Sequence, residues 1–421
     1  MRLLQTRLRQ RGSLFCLFLS IISFVPVASF SANTGNLINN YMGHISRRSA
    51  FQNAAAIAAS LLLVPQIAHA FSASSQGSVP EQSTLQPQAT ANNTPTASVA
   101  YRPLSLKIPE HEVTVPVAMW FPTGNKQDSD TSRLLAKYDH RISVKKIGEL
   151  LAGWDFIPEF ASKDFQLQPT IASVIDGTKL SMPTSGPVVF LAHGYLGSRF
   201  DLSHLAEALA QEGFICVSPE FPESLAASFP RLDGLDRSVI MSSLLDRLSS
   251  EWGVTGTSFG IIGHSAGCGT ATTTGDDTWT RVCIAGSPRR LDGSSIPGSV
   301  LLLSSMNDGA VSLARFGGRA AIPSEYALLE ESTLCQLPNL PKRSFLLFDR
   351  PDDAPNHISF LADGTNDAMI CLLSPLLPVA QAMNIPVLDF DKYQASRDSK
   401  QTAEIVIPLV TKYLKQEMLK S

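Results

Sequence analysis

From Gly186 onward, short apolar runs alternate with segments of helical period, and this rhythm admits few architectures. "PVVFLAHG" (187–194), "FICVSPE" (214–220), "SFGIIGHS" (258–265), "TRVCIAG" (280–286), "SVLLLSS" (299–305) and "RSFLLFD" (343–349) are near-continuous apolar runs of strand length. Strands covered on both faces read in this way. Between them, "DLSHLAEALAQEG" (201–213) predicts a helix with Asp201 as N-cap and Gly213 past its end. "LDRSVIMSSLLDRLSSEWG" (235–253) predicts a second, the small residues after Ser265 a short third, and "QTAEIVIPLVTKYLKQEML" (401–419) a closing helix. Such alternation implies an α/β fold, a mostly parallel central sheet flanked by helices.

Ordered sequence is expected to resume near Tyr101. In "EVTVPVAMWFP" the residues Val113, Val115, Val117, Met119 and Phe121 fall on one face of a strand. A polar excursion, residues 122–185, follows and is a candidate cap insertion. Within it "ISVKKIGELLAGW" places Ile142, Lys146, Ile147, Leu150 and Leu151 at helical spacing, the pattern of a surface helix or a cap element.

The leader has a different composition. The first acidic residue is Glu81, whereas residues 1–70 hold six arginines. Arginines 2, 7, 9 and 11 precede the apolar run "SLFCLFLSIISFVPV", and small residues precede Phe30, which is the pattern of a signal peptide over 1–29. A second signal, residues 47–70, has Arg47-Arg48, the run "AAAIAASLLLV" and a terminal "AHA", and resembles a twin-arginine export signal. With residues 30–46 as a transit-type segment, the layered leader leads to an expected location in a plastid, in the thylakoid lumen, with secretion as the alternative. Residues 71–100, rich in Ser, Thr, Gln, Pro and Ala with one charge, are expected to be a disordered linker before a domain spanning 101–421. Without residues 1–70 the chain carries 28 basic and 37 acidic side chains, a formal charge of −9. That balance, with no basic cluster, argues against nucleic acid as a partner. The six cysteines show no metal-type spacing; Cys216 and Cys283, inside apolar runs, are expected to be buried thiols. Neither a metal nor an organic cofactor is called for.

Chemistry concentrates in "WGVTGTSFGIIGHSAGCG" (252–269), which holds Gly-x-Ser-x-Gly twice, around Ser258 and around Ser265. The pattern marks a serine on a sharp turn between a strand and a helix. Ser258 precedes the apolar run, whereas Ser265 follows it, so Ser265 is the candidate nucleophile with Gly263 and Gly267 as the elbow glycines. A serine nucleophile needs a base, an acid that orients the base, and oxyanion donors. On this kind of sheet the chain order is serine, acid, histidine. Of eight histidines only His357, in "DDAPNHISFL", lies after Ser265. Several acids lie between the two. Asp308, in the loop "MNDGA" after the second strand beyond the elbow, is the first choice, and Asp349 is the alternative.

The region 112–421 resembles the α/β-hydrolases. "AMWFPT", "VVFLAHGYLGSRFDLSHLAEALAQEGFICVSPEF", "GIIGHSAG", "ND" and "NHISFL" are similar to the platelet-activating-factor acetylhydrolase and dienelactone hydrolase branch. The resemblance to dienelactone hydrolases departs at the nucleophile, which is serine here rather than cysteine. Chlorophyllases are a weaker match, since they carry arginine where this chain has Ala266. The resemblance implies an oxyanion hole made by the backbone N–H groups of Ala266 and of Tyr195, with Leu196 as the alternative to Tyr195. It also implies a serine carboxylic-ester hydrolase acting through an acyl-enzyme on an apolar or lipid-like ester. A non-catalytic ligand-binding relative of the same fold is the competing expectation. The uncharged stretch Ala368 to Leu388 adds the expectation of an apolar pocket or a transient membrane-surface contact, against plain core packing.

Overall fold

The computed structural model describes residues 99–123, 135–143, 145–146, 149–150, 163–167, 169, 174–226, 229, 231–287, 294–311, 322–350, 352–364 and 397–419. The leader, most of the linker, the heart of the 122–185 insertion and Ala368 to Leu388 lie outside these residues. The strands are β1 (Val99–Ile108), β2 (Val113–Pro122), β3 (Tyr138–Ile142), β4 (Lys163–Leu167), β5 (Val174–Asp176) and β6 (Ser185–Ala192). They continue with β7 (Ile215–Pro219), β8 (Thr255–His264), β9 (Thr280–Ile284), β10 (Ser299–Ser305), β11 (Ala327–Leu329) and β12 (Arg343–Phe348). The α-helices α1 (Ser203–Gln211), α2 (Arg237–Ser250), α3 (Ala266–Thr273) and α4 (Ser399–Met418) alternate with them.

Ten strands form one sheet in the order β11-β12-β10-β9-β8-β6-β7-β2-β1-β5, and β3 pairs with β4 apart from it. From β7 to β11 every pairing is parallel; β2 runs antiparallel to β7 and to β1. Parallel neighbours need crossovers, which the helices provide. In β10, Leu301 and Leu303 pack with Leu205 and Leu209 of α1 and Val410 and Leu414 of α4. Val300 and Leu302 pack on the other side with Ile240 and Leu244 of α2 and Ala271 of α3. Covering of both faces is why "SVLLLSS" is apolar at every central position. With helices on both faces of a largely parallel sheet, the architecture is the α/β-hydrolase fold.

Several local expectations change. β1 starts at Val99, two residues before the expected onset, and Val99 and Ala100 are fully buried. The alternating face of β2 is as expected, with Val113, Val115, Val117, Met119 and Phe121 all in one core cluster. Ile142 ends β3 instead of starting a helix; helical backbone is described at Lys145, Lys146, Glu149 and Leu150. Asp201 is not the cap of α1: the cap position is Leu202 and makes no side-chain cap bond. The Asp201 carboxylate instead accepts from Ser198 Oγ at 3.0 Å in the interior. Gly213 follows α1 at φ +94°, as its place after the helix requires. Ser258 lies inside β8 rather than ahead of it, so its Gly-x-Ser-x-Gly match is strand backbone. Cys216 and Cys283 are buried free thiols.

Candidate active site

Because β6, β8, β10 and β12 run the same way, the loops at their carboxyl ends share one edge of the sheet, where open parallel sheets place their sites. Residues 193–197 follow β6, Ser265 follows β8, Asp308 follows β10 and His357 lies on the loop after β12.

Ser265 joins β8 to α3 with φ +54° and ψ −119°, a conformation that costs a non-glycine residue about 1–3 kcal/mol and marks a strained turn. Two backbone bonds hold it: Ser265 N–H to Ile284 O at 2.9 Å and Cys268 N–H to Ser265 O at 3.0 Å. The flanking glycines act through space rather than through φ. A Cβ on Gly263 would stand 2.2 Å from Gly267 O, and one on Gly267 would stand 1.9 Å from Ala192 O. The elbow is thus packed backbone to backbone against the end of β6.

Asp308 and His357 are brought together, with the imidazole Nδ1 2.9 Å from Asp308 Oδ2 and both side chains buried. Asp308 Oδ1 accepts the N–H groups of Ala310 at 2.8 Å and Val311 at 2.6 Å. Burial pushes the Asp308 carboxyl up, but the His357 charge, its hydrogen bond and the Val311 N–H outweigh burial and hold it below the ordinary value. Asp308, and not Asp349, is the acid against the imidazole. Such a carboxylate orients an imidazole so that Nε2 is free to take a proton. Ser265 Oγ makes no hydrogen bond to His357 among the described residues; free enzymes often close this contact only around substrate.

The loop after β6 is fixed from several sides. His193 Nδ1 donates to Gly194 O at 2.8 Å while Nε2 accepts the Phe221 N–H at 3.0 Å, which defines a neutral, structural imidazole. Arg237 of α2 donates to His193 O at 2.7 Å and to Glu223 at 2.8 Å, and its guanidinium lies 4.3 Å from the Phe221 ring centroid. Leu196 has φ +62° and its N–H is engaged by Glu223 O at 3.1 Å. Of the two loop candidates for an oxyanion donor, that leaves Tyr195, whose phenol donates to Leu150 O of the insertion at 2.7 Å. Ala266 begins α3, where the first backbone N–H groups have no partner within the helix.

Sequence reasoning missed the groups that pin the base loop. Ser305 Oγ donates to Pro355 O, Asn307 Nδ2 donates to Ala354 O at 3.1 Å, and Asn356 Oδ1 accepts the N–H groups of Ile358 and Ser359 at 2.9 and 2.8 Å. Arg397, far along the chain, pairs with Asp353 at 2.7 Å and Glu331 at 3.1 Å. An Asn one residue before the candidate histidine was a visible turn signal; Arg397 carried no local signal.

No protein-family model and no curated protein sequence matches the chain. Among solved structures, a ferulic acid esterase from Streptomyces cinnamoneus aligns at 17% identity and TM-score 0.44, over 78% of this chain and 92% of that one. A dienelactone hydrolase from Anabaena variabilis aligns at 14% identity and TM-score 0.33, over 66% and 96%. A cold-adapted esterase from an Arctic intertidal metagenomic library aligns at 14% and 0.33, over 68% and 94%. These likenesses are loose, and the fold rests on the strand order and connectivity described above.

Proposed function

We propose that this chain is a serine carboxylic-ester hydrolase that acts through an acyl-enzyme on an apolar or lipid-like ester, as in the platelet-activating-factor acetylhydrolase branch. One observation carries the reading: a strained serine at a strand-to-helix elbow shares a sheet edge with a buried histidine–aspartate pair in contact at 2.9 Å. In this reading Ser265 Oγ attacks the ester carbonyl and His357 takes its proton. Asp308 stabilises the imidazolium, and the Tyr195 and Ala266 N–H groups receive the negative charge that develops on the carbonyl oxygen. His357 then returns the proton to the departing alcohol, and water repeats the sequence on the acyl-enzyme. An apolar substrate is supported by Tyr195 and Met306, large side chains 39% and 42% exposed, on the loops that follow β6 and β10 at the same edge of the sheet as Ser265.

The test is fluorophosphonate labelling of the full chain together with hydrolysis of short- and long-acyl esters. Ser265→Ala is expected to abolish both labelling and hydrolysis. Retained hydrolysis in Ser265→Ala would refute the assignment. Absence of labelling in the wild type would favour a non-catalytic binding relative of the same fold.

A further inference from the structure

His264, the residue immediately before the candidate nucleophile, is a buried imidazole with no part in the scheme above. It is 3% exposed, and its Nε2 lies 2.9 Å from the backbone carbonyl of His357. A carbonyl oxygen only accepts, so Nε2 carries the proton and donates. The two imidazoles also pack ring to ring, with centroids 4.7 Å apart at 44°. On its other side the ring backs onto the loop after β6: a Cβ on Gly194 would stand 3.1 Å from His264 Nδ1 and 3.1 Å from Ser265 Cβ. One side chain therefore touches the base loop and the oxyanion loop while its own backbone leads into the elbow.

We infer that His264 is a positioning residue that sets the His357 imidazole against Asp308 and in register with Ser265, through its Nε2–H bond to the His357 carbonyl. The inference rests on the proposed Ser265–His357–Asp308 reading for its catalytic meaning, though not for its geometry. The environment keeps the ring uncharged. Burial, then the neighbouring His357 charge and His204 on α1, outweigh the His357 carbonyl and Asp308 and hold His264 down to about 3. On the far side of the 193–194 loop stands the Arg237 guanidinium. A neutral donor at this point orients His357 without placing a second positive charge beside the imidazolium formed in catalysis.

Two full-chain variants separate the donor from the bulk. His264→Phe keeps a ring against His357 and removes the N–H; His264→Gln keeps an amide donor of similar reach. His264→Phe is expected to lower kcat by roughly tenfold to hundredfold with KM nearly unchanged. It is also expected to shift the acidic limb of the kcat/KM pH profile, while His264→Gln retains most activity and the wild-type limb. Proton NMR of the His357 Nδ1–H facing Asp308 provides a readout independent of turnover: the signal should be shifted or lost in His264→Phe and kept in His264→Gln. Wild-type kcat, pH limb and Nδ1–H signal in His264→Phe would overturn the inference, as would equal loss in both variants with native-like spectra. If Ser265→Ala still hydrolyses ester, the esterase reading falls by itself, and the NMR comparison continues to decide the role of His264.

Discussion

Two glycines of helix α3 offer the same chemical change with opposite expected results. At Gly267 an added methyl would meet Ala192 O at 1.9 Å, Ala192 C at 2.7 Å and His193 O at 2.9 Å, all backbone at the end of β6. Real Cβ contacts essentially never fall below 3.0 Å, so α3 and β6 must separate by at least about 1 Å. That motion displaces the Ala266 N–H from Tyr195 and turns Ser265. Forced overpacking costs about 1–3 kcal/mol of stability, and a displacement of ~1 Å at reacting groups costs on the order of a hundredfold in rate. At Gly269 nothing lies within 4 Å of the added methyl. There, Ala lowers the entropy of the unfolded chain and fits the helix, a gain of about 0.5–1 kcal/mol. Urea unfolding and kcat/KM on a soluble short-chain ester, measured for Gly267→Ala and Gly269→Ala in parallel, check both signs. A Gly267→Ala protein with wild-type stability and turnover would refute the close-packing argument, as would a Gly269→Ala protein damaged to the same degree.

Two further outcomes follow from buried groups. Burial holds the fully buried His204 down to about 4 from an ordinary 6.5, so both folded and unfolded states are neutral above 6.5 and its contribution is complete there. As pH falls from 6.5 through 4 the unfolded chain takes the proton first, and stability declines by up to about 3 kcal/mol. His204→Leu should flatten, though not abolish, the loss seen by urea unfolding at pH 7 and pH 5, since His264 titrates in the same direction; an unchanged slope would contradict the assignment. Arg281 is fully buried and donates to the carbonyls of Ala271, Thr274, Asp276, Trp279 and Pro297 at 2.9–3.1 Å, tying the end of α3 to the start of β9 and β10. Arg281→Met should cost about 3–5 kcal/mol by urea denaturation, and Arg281→Lys should recover little because one ammonium cannot span five acceptors.

The sequence by itself determined the architecture and a short list for the site, because both depend on order along the chain. Runs buried on both faces, spaced by helical periods, allow little besides a parallel sheet with helices on each side. The strand between Ser258 and Ser265 separated the two Gly-x-Ser-x-Gly matches even though its start was misplaced, and a single downstream histidine limited the base. Tertiary structure decided what depends on contacts between distant segments. Asp308 rather than Asp349 faces His357 only because β10 and β12 are sheet neighbours. Leu196 stood as the alternative donor to Tyr195 until the Glu223 carbonyl, from the loop after β7, engaged its N–H. Asp201 matched the cap pattern of α1, yet the chain turned it inward to Ser198. His264 carried no signal of a partner in the sequence, and only folding brought the His357 carbonyl, 93 residues away, to its ring. Periodicity and order are properties of a line, but partners for buried donors and acceptors are chosen in three dimensions, where most buried groups find one.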